Sequence, residues 1–417
     1  MDKIVIWGPN RLEGQVSISG AKNAALPILA STLLTSGWNE ISNVPRLKDI
    51  ETILSLLSHL GVQVDRKSDL LRLNSDSVRC LDAPYDLVNT MRASVLVLGP
   101  LVARFKKAKV SLPGGCAIGE RPINLHLDAL EKLGAKITLD KGYVIAEAQE
   151  LKGTKICFDT CTVTGTENIM MAAVLARGVT ILEKSAKEPE VIDLANALNK
   201  MGAFISGAGT DTIIIEGVRE LKGTSYAVMQ DRIEAGTLLL AAAATGGKVE
   251  IQNCDSIHLD VVIEKLLSSG VKISTTKNSI FVESDGTIQK MHVQTQSYPG
   301  FPTDLQAQMM VLMTQAQGAS LMTENIFENR FNHVAELRRM GAHIMIDGRS
   351  AMIEGAKTLS GAPVMATDLR ASACLVIAGL LAQGKTEISR VYHLDRGYEH
   401  LDQKLKKLGA RIERMAS

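Results

Sequence analysis

Cys116 stands in the loop Ser111-Leu112-Pro113-Gly114-Gly115-Cys116-Ala117-Ile118-Gly119-Glu120-Arg121-Pro122. Glycines there permit excursions that other residues resist, and Pro122 suits the first turn of a following helix. A thiol of ordinary pKa, about 8.5, is largely protonated at neutral pH. It can deliver a proton, or act as a nucleophile where nearby cations lower its pKa. Six cations recur at loop-to-helix junctions: Lys22, Arg92, Arg121, Arg330, Arg370 and Arg396. Asp231, Asp304, Asp368 and Asp395 stand at the same kind of junction. Helix starts expose unpaired N–H groups and a positive dipole end, so such junctions suit an anion. Arginine at five of the six fits two-pronged recognition of phosphate or carboxylate.

The elements that must place these residues form a sixfold pattern. One phrase, a Gly followed by a small or branched residue and a strand, recurs at Leu60-Gly61-Val62, Leu133-Gly134-Ala135, Met201-Gly202-Ala203, Ser269-Gly270-Val271, Met340-Gly341-Ala342 and Leu408-Gly409-Ala410. The glycines are 73, 68, 68, 71 and 68 residues apart. Such a period marks an internal repeat. One copy reads as a strand at Lys155 to Phe158, an apolar helix from Thr166 to Arg177 and a strand at Val179 to Leu182. An amphipathic helix from Glu190 to Met201 follows, then a strand at Ala203 to Ser206 and an edge strand at Thr212 to Ile215. The unit is thus β-α-β-α-β-β. Six units divide into two domains of three. The expected boundaries are 22–229 for the first domain, and 1–21 with 230–417 for the second, the N-terminal strand completing the latter. Helices inside and sheets outside would make each domain an inverse α/β barrel.

The bulk numbers bound the possibilities. The 417 residues are 46% hydrophobic and 22% charged, with a net charge of +1. No global field draws this chain to nucleic acid or to an anionic membrane. No apolar run reaches the roughly 20 residues that span a bilayer, and the start lacks a signal-peptide core. The expectation is a cytoplasmic protein without membrane insertion or nucleic acid. The six cysteines read as free thiols, with Cys80, Cys157, Cys254 and Cys374 as small buried hydrophobes. Cys157 and Cys161 have no partner pair nearby in the sequence, so no metal site and no cofactor is expected.

The chain resembles the enolpyruvyl transferase family, in particular its members that act on UDP-N-acetylglucosamine. The motifs that carry the likeness are Ser19-Gly20-Ala21-Lys22-Asn23-Ala24-Ala25-Leu26-Pro27, Thr90-Met91-Arg92-Ala93-Ser94, Leu112-Pro113-Gly114-Gly115-Cys116, Phe301-Pro302-Thr303-Asp304, Phe327-Glu328-Asn329-Arg330-Phe331, Ala366-Thr367-Asp368-Leu369-Arg370-Ala371-Ser372 and Asp395-Arg396-Gly397-Tyr398. They run from end to end. The resemblance implies an α/β fold of two inverse (inside-out) α/β barrels with an interdomain active-site cleft. It implies transfer of the enolpyruvyl group of phosphoenolpyruvate to the 3′-hydroxyl of UDP-N-acetylglucosamine, with release of phosphate, by addition and elimination. That is the first committed step of peptidoglycan synthesis, and so serves cell shape and division.

By the same resemblance Cys116 is the general acid. It also carries the covalent 2-(S-cysteinyl)pyruvic acid O-phosphothioketal and is alkylated by fosfomycin. Asp304 is the base near the sugar hydroxyl, with Lys22 and Arg396 beside the reaction. Arg92, Arg121, Arg330, Asp368 and Arg370 bind substrate or order the site around it. Asn23, Pro122, Ile123, Asn124, Leu125, Thr162, Val163, Thr164 and Ile326 contact the nucleotide sugar. Two departures bear on that nucleotide: Asn124 replaces a frequent Asp, and Thr160 replaces the Lys of some relatives. The alternatives are the sister 3-phosphoshikimate 1-carboxyvinyltransferase, which lacks this cysteine loop, and a non-catalytic UDP-sugar-binding paralogue.

Overall fold

The computed structural model describes residues 2–112, 123–356 and 358–416. Cys116, Arg121 and Pro122 lie outside the described residues. Contacts divide the described chain into two compact units, one of residues 20–112 and 123–229, the other of residues 2–19 and 230–416. Each has its own apolar core.

The six recurring glycines are helix terminators. All adopt left-handed backbone, with φ of 103°, 98°, 107°, 97°, 93° and 93° in chain order. A side chain there meets the penalty that glycine avoids. The next residue closes the end by donating its N–H five residues back: Val62 to Leu57 O, Ala135 to Leu130 O, Ala203 to Leu198 O, Val271 to Leu266 O, Ala342 to Leu337 O and Ala410 to Leu405 O, at 2.9–3.1 Å. Each helix is thereby turned into the following strand in the same way.

Among the described residues six four-stranded sheets result, three in each unit. In the 20–229 unit one sheet orders its strands Lys155–Cys157, Val179–Glu183, Thr212–Glu216, Phe204–Ser206. Thr212–Glu216 is therefore an inner strand and Phe204–Ser206 the edge, the reverse of the expected placement. The hairpin folds its last strand back between its neighbours. The helix also starts earlier than expected, at Val163, because Thr162 caps it by accepting from Gly165 N–H at 3.2 Å.

The final sheet borrows a strand from the beginning of the chain. Lys3–Gly8 lies antiparallel between Gly384–Ser389 and Ile412–Met415. Glu13–Ser17 likewise joins Lys248–Gln252 in parallel. In the other unit, Ser225–Ala227 plays that part beside Trp38–Ser42.

The first helix of each repeat is the buried one. In one unit Lys22–Ser31, Leu98–Phe105 and Val163–Ala173 pack together; in the other Arg232–Ala244, Gln306–Met313 and Leu369–Leu381 do so. Every residue of Arg232–Ala244 and of Gln306–Met313 is buried. A helix apolar on all sides needs neighbours all round, and here the three helices form the centre with sheets outside them. This is the inside-out arrangement. The sheets' outer faces keep Phe204 and Met345 more than half exposed. Cys254 and Cys374 are buried free thiols, but Cys157 is exposed and Cys80 only partly covered, so those two do not fill the core. No helix among the described residues is long and apolar enough to cross a membrane.

Candidate active site

Expected site residues gather in two clusters, one within each unit. In the 20–229 unit, Lys22 and Asn23 open the helix Lys22–Ser31. Its start has no side-chain cap among the described residues. The largely buried Lys22 ammonium lies 3.3 Å from Asp49 Oδ2. The same helix packs on the short turn Arg92–Val97.

Arg92, the start of Asn124–Lys132, and the first turn of Val163–Ala173 meet around His126, which is 3% exposed. Asn168 fixes the tautomer of that ring. Its Oδ1 accepts from Gly99 N–H at 2.8 Å, so Nδ2 is the donor facing His126 Nδ1 at 3.0 Å. His126 Nδ1 is then the acceptor, and Nε2–H faces Thr164 Oγ1 at 3.4 Å. Burial first, and the Arg92 charge second, push the His126 pKa down to about 4. A neutral imidazole thus supports the Thr162–Thr164 turn. Ile123, Asn124 and Leu125 adjoin it at the start of their helix, and Asn124 is exposed.

In the other unit the centre is Asp304, in the turn Thr303–Leu305 that leads into Gln306–Met313. Arg330 Nη2 donates to its Oδ1 at 2.7 Å, and Arg370 Nη2 to its Oδ2 at 2.6 Å. Both arginines are about 5% exposed, while 26% of the Asp304 side chain remains accessible. Burial alone would raise the Asp304 carboxyl. The charges of Arg370 and Arg330, with their hydrogen bonds, outweigh it and hold the group well below the usual carboxylate range. Burial likewise opposes the Arg370 charge, but Asp304, Tyr398 and Asp231 reinforce it. Arg370 Nε and Nη1 are buried and find no acceptor among the described residues. A buried charged donor without a partner is costly, so this pair of N–H groups is suited to an incoming anion.

Further members surround this centre. Arg330 Nη1 donates to Thr303 Oγ1 at 3.0 Å. Gln308 Nε2 donates to the Asp304 carbonyl at 3.0 Å, and also reaches Tyr398 OH and Thr237 Oγ1. Asp368 caps Leu369–Leu381, its Oδ1 accepting from Arg370 N–H at 2.8 Å and Ala371 N–H at 3.0 Å. Ile326 N–H donates to Glu324. Arg396 is half-buried in the turn Val391–Arg396, which packs on Leu369–Leu381. Its neighbour Asp395 is taken up by a two-pronged pair with Arg414, at 3.0 and 2.6 Å. Sequence reasoning missed His126, Asn168, Asp49, Glu324 and Gln308. Only Gln308, a glutamine in the first turn of the mostly apolar helix Gln306–Met313, carried a sequence signal.

A carboxylate gripped by buried arginines on a sixfold repeat places the chain in a known class. The family model described as EPSP synthase (3-phosphoshikimate 1-carboxyvinyltransferase) matches residues 6–405. The chain belongs to this family of enolpyruvyl transferases. Within it, the relatives from Geotalea uraniireducens and Thermodesulfovibrio yellowstonii are 57% and 56% identical over 415 and 416 residues, covering 100% of both chains. A relative from Myxococcus xanthus is 57% identical over 99% of both chains. All three are named UDP-N-acetylglucosamine 1-carboxyvinyltransferase. Among solved structures, the enolpyruvyl transferase NikO of Streptomyces tendae superposes with a TM-score of 0.89 at 24% identity, covering 100% of this chain and 99% of its own. EPSP synthase of Acinetobacter baumannii gives 0.76 at 19%, covering both chains fully. These two share the fold.

Proposed function

We propose that this chain transfers the enolpyruvyl group of phosphoenolpyruvate to the 3′-hydroxyl of UDP-N-acetylglucosamine, the reaction for which its relatives are named. The observation that carries the reading is Asp304 between two buried arginines, one of which has unpaired donors. In the addition, the sugar oxygen bonds to C2 of phosphoenolpyruvate, Asp304 takes the hydroxyl proton, and the Cys116 thiol protonates C3. In the elimination, C3 returns a proton to the Cys116 thiolate, the C2–O bond to phosphate breaks, and the phosphate leaves with the proton that Asp304 took. Cys116 can also add its sulfur to C2 and its proton to C3, which gives the covalent adduct.

Asp304 held low by two cations is a weak base. An anionic donor that occupies Arg370 and Arg330 shares their charge, so the carboxylate regains basicity when substrate is present. Lys22, Arg92, Arg121 and Arg396 hold the remaining negative charge, with Asp368 orienting Arg370. Asn23, Pro122, Ile123, Asn124, Leu125, Thr162–Thr164 and Ile326 bind the nucleotide sugar. The two enolpyruvyl transferase domains are 22–229, and 1–21 with 230–417. The protein acts in the cytoplasm, in peptidoglycan synthesis, and fosfomycin inactivates it at Cys116.

The test is phosphate release from phosphoenolpyruvate. Release should require UDP-N-acetylglucosamine, disappear after fosfomycin treatment and fall steeply in Cys116→Ser. Release with shikimate 3-phosphate in its place would transfer the chain to the sister activity. Tight UDP-sugar binding without any release would make it a binding protein.

A further inference from the structure

Glu324 has no role in the reaction as described, yet it is fully buried directly after the strand Ala319–Thr323. Its carboxylate takes four hydrogen bonds. Oε1 accepts from Thr295 Oγ1 at 2.8 Å, Ile326 N–H at 2.8 Å and Phe327 N–H at 3.1 Å. Oε2 accepts from Thr303 Oγ1 at 2.8 Å. The last bond has a directional consequence. A threonine hydroxyl has one proton. Committing it to Glu324 turns an oxygen lone pair toward Arg330 Nη1, 3.0 Å away, and Arg330 Nη2 then reaches Asp304 Oδ1 at 2.7 Å. The same carboxylate pins the backbone at Ile326 and Phe327, shortly before Arg330.

We propose that Glu324 is a positioning residue for enolpyruvyl transfer. It sets the direction of the chain Glu324–Thr303–Arg330–Asp304, and so aims Arg330 at both the carboxylate and the incoming anion. The proposal rests on the function above for its kinetic effect, while its geometry is independent of it. In Glu324→Gln, an amide that keeps its oxygen toward Ile326 and Phe327 points its NH2 at Thr303. The threonine proton then loses the acceptor that fixed its direction, and the lone pair aimed at Arg330 Nη1 is no longer set. Thr303→Val deletes the link, whereas Thr303→Ser retains it.

The test measures inorganic phosphate binding by calorimetry, and kcat with KM for phosphoenolpyruvate, on wild type and these three variants. Losing a charge-assisted hydrogen bond corresponds to on the order of 10- to 100-fold. Glu324→Gln and Thr303→Val should weaken phosphate binding by that factor and lower kcat, and Thr303→Ser should recover to within about threefold on this scale. Equal phosphate affinity in all four proteins, a serine variant as impaired as the valine one, or a wild type that binds no phosphate would each overturn the proposal. A wild type that binds phosphate with this pattern of variants but turns over no substrate would support the positioning role and remove the proposed reaction.

Discussion

Replacing Asp304 by asparagine should cost stability as well as activity. The substitution keeps the size of the side chain and removes the charge that Arg330 and Arg370 share, both about 5% exposed. Breaking a fully buried ion pair costs about 3–5 kcal/mol, chiefly because the remaining charge is stranded. Asp304 retains 26% exposure, so the lower end, about 3 kcal/mol, is the expected loss. For a unit of this size that lowers the thermal midpoint by about 6–12 °C.

Inorganic phosphate should narrow the gap, since it supplies the missing negative charge. At about 100 times its Kd a ligand adds about 2.7 kcal/mol. The pH behaviour has a definite sign. A carboxyl held below its unfolded value contributes stability above that unfolded value, and loses it as pH falls through the lowered one. In wild type the Asp304 contribution should therefore be full above the usual carboxylate range and fade progressively as pH falls below it. Thermal scans of wild type and Asp304→Asn, with and without phosphate, test this. A variant melting within about 2 °C of wild type, or one that phosphate stabilises no more than wild type, would refute the reasoning.

Other outcomes follow from the same geometry. His126 and His333 are buried with pKa values pushed down to about 4 from 6.5. Folding must exclude their protons, so stability falls as pH drops through about 6.5 toward 4, by about 3 kcal/mol for each ring. Urea midpoints should fall less steeply across that range in His126→Gln than in wild type. Gly99→Ala would put a methyl 2.3 Å from the Asn168 carbonyl and 2.5 Å from its Oδ1. It should cost about 1–3 kcal/mol by thermal unfolding and raise the KM for the nucleotide sugar through His126 and Thr164. Asp231→Ala removes the acceptor of Ile233 and Glu234 N–H groups at 2.8 and 3.0 Å. A loss of about 1 kcal/mol by urea unfolding is expected.

The glycine phrases were legible because a left-handed helix end is a local demand, and all six positions meet it with the same closing bond. Which strand lies at a sheet's edge was not legible. Ile213 and Ile215 are buried and Ile214 is exposed, an alternation that an inner strand and an edge strand can share. Strand order depends on where the hairpin inserts, which no local pattern records. Lys22, Arg330 and Arg370 stood out as cations at helix starts, but the meeting of Asp304 with partners 26 and 66 residues away is tertiary. Glu324 and Asn168 gave no signal, since each acts through groups from other elements. Asp395, at the same kind of junction, serves an ion pair with Arg414.

The strand Lys3–Gly8 ends its wait late. Its partners are residues 384–389 and 412–415, and a ribosome adds about 5–20 residues each second. The segment emerges long before those partners and remains unmated for on the order of 20–80 s at that rate. Residues 20–229 meanwhile emerge as an uninterrupted stretch containing all three of their own sheets. Synthesis therefore favours a nascent protein with one unit folded and an unpaired β-strand preceding it. A chain broken off before residue 384 lacks both neighbours of that strand, and exposes an edge that newborn copies on one messenger can pair across.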